Sequence, residues 1–244
     1  MVEFEGLKVQ FGDKIIFENL SLRLKASESV IIMGPSGTGK SVCLRAIVGL
    51  VAFQSGTIRV DEIDLESEKD AEKIRAICGL IFQFPALLDS ITIQENWELA
   101  VAASLMRGIK PFDIQEVLDL IALPKAILNQ YSYELSLGHQ KMAQMARALI
   151  GKPKYLLLDE PTTGLDPILT RSVNQLTRRL IAQVGCGVLT VTHDMKSALE
   201  IGDRFYFMEK GEWIAQGNQE SILKSQHSLV RVFMEDAKIR GWAL

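Results

Sequence analysis

No run in these 244 residues approaches the roughly 18 apolar residues that a membrane-spanning helix needs. Cysteine is scarce: Cys43, Cys78 and Cys186 are odd in number and far apart, matching neither a disulfide framework nor a metal pattern. They are expected as small buried hydrophobes in a reduced compartment. Positive charge is not in excess. Lys and Arg total 27 against 30 Asp and Glu, a net charge of -3, so the basic patch of a nucleic-acid binder is missing and no nucleic-acid partner is expected. Glu3 and Glu5 interrupt the start and no apolar segment follows, so no signal peptide is expected. Internal repeats and low-complexity linkers are also lacking. With 48% hydrophobic residues, these absences predict a cytosolic chain of one large or two small, closely packed domains. Any work at a membrane would need other chains to span it.

What is present is led by Gly34-Pro35-Ser36-Gly37-Thr38-Gly39-Lys40-Ser41, which fits the phosphate-binding loop pattern at every fixed position. Val30 to Met33 before it reads as a buried strand, and Val42 to Leu50 after it as a helix. Such a loop turns successive backbone N–H groups inward as an anion nest. It also aims the helix dipole at the bound phosphates. Lys40 is expected on the β- and γ-phosphates, and the Ser41 hydroxyl on Mg²⁺.

Around this unit, Val2 to Leu24 alternates apolar and polar residues about a turn at Gly12-Asp13, a hairpin signal. Gly56 to Val60 reads as a return strand. Cys78 to Phe82 reads as a buried strand stopping at Gln83. From about Pro85 to Ile150 the pattern is helical. Ile114, Val117, Leu118 and Ile121 recur at helical spacing, with Pro111 just before and Pro124 just after. Tyr155 to Leu158 and Gly187 to Val191 are apolar on both faces, as in a parallel sheet covered by helices. The reading is an α/β nucleotide-binding core, 1–84 and 151–225, with a helical insertion, 85–150, and a C-terminal helix and tail, 226–244.

Two acids end the strand at Leu158. Asp159 suits the Mg²⁺ shell, delivered by a strand expected beside the P-loop strand. Glu160, one residue on, suits a general base that polarises the attacking water. His193 follows the strand Val188 to Val191, which is expected beside the Asp159 strand. That places His193 toward the γ-phosphate. Gln83 is expected to end a strand next to the P-loop strand, where its amide would contact Mg²⁺ or the attacking water.

In this order, Phe11, the P-loop, Gln83, Glu134-Leu135-Ser136-Leu137-Gly138-His139-Gln140, Leu158-Asp159-Glu160-Pro161, Gly164-Leu165-Asp166-Pro167 and His193 resemble ABC transporter ATPase subunits over nearly the whole chain. The resemblance implies a RecA-like P-loop NTPase core with an N-terminal antiparallel β subdomain and an inserted α-helical subdomain. It implies that Phe11 stacks on adenine. It also implies a head-to-tail dimer, in which Ser136 and Gly138 of one copy close over the ATP of the other and Asp166 bridges the two. Membrane permease subunits would be contacted near Gln83 to Ala100, on the cytoplasmic face of the plasma membrane.

The signature departs from the family pattern at Leu137, where glycine is usual, and at His139. The helix after it is expected from about His139 to Ile150. Leucine forced to positive φ would be strained by about 1 kcal/mol or more; a loop accepting Leu137 at negative φ would escape that cost. Leu137 is expected to slow hydrolysis or weaken closure without abolishing ATP binding. Lys14 to Leu22, Ile81 to Ser90 and Ala215-Gln216-Gly217 look like the ATPases of Mla/Mkl-type phospholipid transporters, which implies lipid cargo and a lipid-binding partner. Importers of polar amino acids share the Ala86-Leu87-Leu88 segment and are the alternative. A regulatory subunit that binds ATP with little hydrolysis is the rival of another class. In the tail, Leu229, Val230, Phe233 and Met234 make an apolar helical face, for the chain's own core or for a partner. Lys238, Arg240 and Trp242 follow it.

Overall fold

A computed structural model describes residues 1–239. Strands β1 (Val2–Phe11) and β2 (Lys14–Leu24) pair antiparallel about Gly12-Asp13. β1 buries Val2, Phe4, Leu7 and Val9, the period-2 face that its sequence alternation predicts. β4 (Ser55–Val60) pairs with the other edge of β1, and β5 (Ile63–Asp64) follows it, giving a four-stranded sheet in the order β2-β1-β4-β5.

The second sheet has six strands in the order β10-β9-β3-β8-β7-β6. Its strands are β3 (Ser29–Met33), β6 (Cys78–Ile81), β7 (Tyr155–Asp159), β8 (Gly187–Val191), β9 (Arg204–Glu209) and β10 (Glu212–Asn218). β10 joins antiparallel and the remaining neighbours are parallel. β3, β7 and β8 are buried along their whole length, as expected for strands covered on both faces. Among the described residues, buried side chains form three apolar clusters. One lies between the two sheets, one under the helices on the opposite side, and one around β9.

The sheet order corrects two expectations. β8, not the Asp159 strand, lies beside the P-loop strand β3, so β7 is one strand further out. β6, which leads to Gln83, is the edge strand, three spacings from β3 or about 14 Å. The placement of the His193 strand β8 directly against β7 agrees with the expectation.

The helices are α1 (Lys40–Ile47), α2 (Glu68–Ile77), α3 (Ile93–Met106), α4 (Ile114–Ile121), α5 (Leu137–Ile150), α6 (Pro167–Arg179), α7 (Met195–Ile201), α8 (Gln219–Leu223) and α9 (Ser228–Ile239). α1 starts two residues earlier than expected, because Gly39 is its N-cap and Lys40 is already helical. It stops at Ile47 just ahead of Gly49, where a Cβ would lie 2.6 Å from that of Ala71. α5 likewise starts at Leu137 rather than His139, with the Ser136 hydroxyl accepting from the His139 N–H. α3 and α5 are locked together by Trp97, which is wholly buried and donates Nε1–H to the Ala143 carbonyl at 3.0 Å. α9 packs on the chain's own core: Val230 and Ala237 are buried, and Phe233 meets Phe207 edge-on. Arg240 and Trp242 lie outside the described residues.

Candidate functional site

The P-loop runs from the end of β3 to the start of α1. Gly39 has φ 103°, and a Cβ there would come within 2.7 Å of Ile16 on β2. Only glycine tolerates that pair of constraints. The same contact brings the end of the β1–β2 hairpin over the loop. Phe11 sits at that end, opposite Lys14, with half its surface exposed.

Lys40 folds back over the loop. Its ammonium donates to the Gly34 carbonyl at 2.8 Å and the Pro35 carbonyl at 2.7 Å, and Thr38 Oγ1 also donates to the Pro35 carbonyl. Burial lowers the Lys40 pKa, and the charges of Glu160 and Asp159 oppose that shift. A buried cation holding only carbonyls is well placed to exchange them for phosphate oxygens.

Ser41 Oγ donates to Asp159 Oδ1 at 2.6 Å, across from α1 to the end of β7. Asp159 is 2% exposed. Burial raises its pKa, against the Ser41 hydrogen bond and the charge of Arg45 at 4.0 Å. A desolvated carboxylate beside a hydroxyl is an all-oxygen donor set short of positive charge, and that set fits Mg²⁺.

Glu160 follows on a turn. Its φ is 50°, and its N–H donates to the Val191 carbonyl at 2.9 Å. That conformation swings the side chain off the line of β7. Glu160 Oε2 accepts from Thr163 Oγ1 at 2.9 Å and lies 2.9 Å from His193 Nδ1. Burial pushes the Glu160 pKa up, but the His193 and Thr163 hydrogen bonds and the charges of His193 and Lys40 outweigh it and hold it below the usual carboxylate value. The hydrogen bond to Glu160 in turn raises His193, against partial burial. An ionised carboxylate only accepts, so Nδ1 carries the proton and Nε2 is the free ring nitrogen.

The P-loop, Asp159, Glu160 and His193 thus converge at the ends of β3, β7 and β8. Gln83 does not join them. It is exposed beyond the edge strand β6 and makes no hydrogen bond to this group. Ser136 and Gly138 head α5 without a hydrogen bond to their own chain's P-loop. Gly138 is a packing position, because a Cβ would lie 2.2 Å from Leu169 Cδ1. Leu137 has negative φ as the first residue of the helix, so the strain alternative is overturned. Its side chain is 43% exposed and rests near Gly164. Asp166 caps α6, accepting from Ile168 N–H at 2.8 Å and Leu169 N–H at 3.0 Å.

Sequence reasoning missed Lys141. It is buried on α5 and donates to the carbonyls of Glu160 and Thr163, tying the signature helix to the turn that carries Glu160. Its spacing of three from Gly138 and four from Met145 marked it as facing inward.

A phosphate-binding loop between strand and helix, with an acidic strand end against its serine and a hydrogen-bonded Glu–His pair beside it, defines a P-loop ATPase. The family described as ABC transporter matches residues 17–163, and the chain belongs to that family, as an ATP-binding subunit that hydrolyses ATP. It is 32% identical to the "Probable ribonucleotide transport ATP-binding protein mkl" of Mycobacterium tuberculosis, over 98% of this chain and 67% of the relative. It is 34% identical to the glutamine transport ATP-binding protein GlnQ of Escherichia coli, over 93% of this chain and 95% of the relative. Among solved structures, the cassette MJ0796, seen as a dimer in a post-hydrolysis state bound to ADP and Pi, is 29% identical with a TM-score of 0.79. That match covers 89% of this chain and 98% of the other.

Proposed function

We propose that two copies of this chain associate head to tail and hydrolyse ATP at their shared interface to drive a membrane permease. The observation that carries the catalytic part is the Glu160–His193 pair at 2.9 Å beside the Ser41–Asp159 pair at 2.6 Å. The loop Gly34-Pro35-Ser36-Gly37-Thr38-Gly39-Lys40 holds the phosphates through the backbone N–H groups of its residues other than Pro35, which has none, and through the Lys40 ammonium. Phe11 stacks on the adenine. Ser41 and Asp159 hold Mg²⁺, which when bound neutralises phosphate charge. Gln83 completes that set only if the segment after β6 moves toward the site.

Glu160 accepts a proton from the attacking water as general base, kept ionised by His193 and Thr163. His193 holds the carboxylate through Nδ1. Ser136 and Gly138 of the second copy close over the nucleotide at the N-terminus of α5, whose dipole favours anions. Asp166 lies on the turn that meets the partner. The dimeric MJ0796 cassettes support association with a second copy. Permease subunits dock near Gln83 to Ala100, on the cytoplasmic face of the plasma membrane. In this reading the cargo is phospholipid moving across a bacterial envelope, with a lipid-binding partner. It rests on the likeness of Lys14 to Leu22 and Ile81 to Ser90 to Mla/Mkl-type ATPases. Import of polar amino acids is the second reading, favoured by the similarity to GlnQ.

In the purified transporter complex, Glu160→Gln is expected to cut phosphate release by about 100-fold or more while ATP is still bound. Phosphate release that survives the substitution excludes Glu160 as the base. Mass spectrometry of the complex is expected to show phospholipid; bound amino acid in its place selects the second reading.

A further inference from the structure

Away from the groups that converge at the ends of β3, β7 and β8, one titratable side chain touches a residue read as closing over the nucleotide. His139 Nδ1 lies 3.2 Å from Ser136 Oγ, and the His139 N–H donates to the same oxygen at 3.3 Å. Ser136 is the N-cap of α5 and His139 its third residue, so the ring folds back over the cap as a capping-box side chain does. Ser136 is exposed and His139 partly so, which leaves both within reach of a second copy.

A serine hydroxyl has one hydrogen. While Nδ1 is bare it accepts that hydrogen, and Ser136 then turns only lone pairs outward. An ionised phosphate oxygen also only accepts, so the two cannot bond. With a proton on Nδ1 the bond reverses: the ring donates to Oγ, and the serine hydrogen is free for a phosphate oxygen. A neutral ring meets this condition in one tautomer; a protonated ring meets it always and adds a positive charge. Nearby negative charge favours the protonated form. The charged groups on the segments that meet this end of α5 are Asp89, Glu95, Glu134, Lys141, Asp166 and Arg171. Asp89 takes the Ser132 hydroxyl, Glu95 the Thr92 N–H, Glu134 the Tyr131 N–H, and Asp166 the Ile168 and Leu169 N–H groups. Lys141 is spent on two carbonyls, and Arg171 lines a cleft toward α7. Among the described residues none of them is bonded to the His139 ring, so its charge answers to what a second copy brings.

We propose that His139 is a positioning residue of the shared ATP site: its ring binds a proton as Ser136 closes on the other copy's ATP, and Nδ1–H turns the Ser136 hydroxyl onto the γ-phosphate. The inference rests on the reading of this chain as a head-to-tail dimer. It adds that closure takes up as much as one proton at each site, so low pH favours the closed dimer and high pH opposes it.

The test uses full chains carrying Glu160→Gln, which hold ATP uncleaved. Dimer formation is followed by size exclusion with light scattering as ATP and Mg²⁺ are raised, between about pH 5.5 and pH 8.5. The ATP concentration at the midpoint is expected to rise with pH at least about fivefold more with His139 in place than with His139→Gln, because a glutamine amide donates to Ser136 without titrating. ATP and His193 titrate alike in both chains and cancel in the comparison. His139→Leu offers no donor and is expected to raise the midpoint about tenfold near pH 6, while His139→Gln stays close to its parent. Equal melting temperatures of the parent and the His139→Gln chain separate closure from folding. With Ser136→Ala also present, the pH difference between the His139 and His139→Gln chains is expected to vanish. A difference that persists shows the ring acting on the phosphate directly and overturns the positioning role. Equal pH dependence with and without His139 overturns the inference and leaves the shared site standing. A Glu160→Gln chain that stays monomeric with ATP at every pH overturns both.

Discussion

The hydrogen bond from His193 to Glu160 gains ion-pair strength while both groups are charged, and the direction of each shift sets where that holds. Glu160 is held below its usual pKa, so its contribution to stability is present above the unfolded carboxylate value of 4.5 and is lost as pH falls through the lower folded value. His193 is held above 6.5, so its contribution is complete below 6.5 and is lost as pH rises through the higher folded value. The pair is therefore strongest between pH 4.5 and 6.5. His193→Gln is expected to lower the melting temperature most in that window and progressively less as pH rises above it. The loss corresponds to about 1 kcal/mol or less, because the imidazole is half exposed and screened. A melting-temperature difference that grows toward alkaline pH would contradict the ion pair. Leu137 is the residue that departs from the family pattern in the signature. It carries no backbone strain, so its effect must come from side-chain bulk beside Gly164. Leu137→Gly is expected to raise the ATPase rate of the complex about two- to tenfold, at a cost of about 1 kcal/mol in helix stability. Equal rates would remove Leu137 from any account of turnover.

Among elements, α5 has the most varied duties. Ser136 is its N-cap and Gly138 lies in its first turn, its Lys141 holds the turn that carries Glu160, and its Ala143 carbonyl receives Trp97 from α3. A helix so employed links the helical layer to the turn that carries Glu160. Trp97 is the anchor of that layer: wholly buried, and bonded through Nε1. Trp97→Ala is expected to cost about 3–5 kcal/mol by cavity formation, read by urea denaturation at neutral pH. A cost under about 1 kcal/mol would show that α3 and α5 are held by other contacts. The α5 boundary was misjudged by two residues because Leu137 breaks the glycine pattern of its signature, although Ser136 is an ordinary N-cap that pointed to the true start. The start of α1 was misplaced for a similar reason. Gly39 is a permissive N-cap, and Lys40 reads equally well as loop or helix until the backbone is seen.

At the scale of the whole molecule, one chain brings together the P-loop, Asp159, Glu160 and His193 but leaves Ser136 and Gly138 without a hydrogen bond to that group. Glu160→Gln, which retains ATP, is expected to elute at twice the monomer mass with ATP and Mg²⁺ and at the monomer mass with ADP, by size exclusion with light scattering. A monomer under both conditions would contradict the shared site. The sequence by itself determined the chemistry: the P-loop, the two acids after Leu158 and His193 are local patterns, and each sits at a strand end that its apolar run predicts. It also determined the hairpin about Gly12-Asp13 and the buried parallel strands, because alternation and two-faced burial are local signals. The order of strands was decided only by the tertiary structure. β8 separates β7 from β3, and β6 lies at the edge, since pairing partners distant in the chain are chosen by how the covering helices pack and not by the strands' own residues. The same packing left Gln83 outside the cluster and buried Gln144 and Lys141. Whether a polar side chain ends beside a partner or alone depends on neighbours that no local stretch of sequence contains.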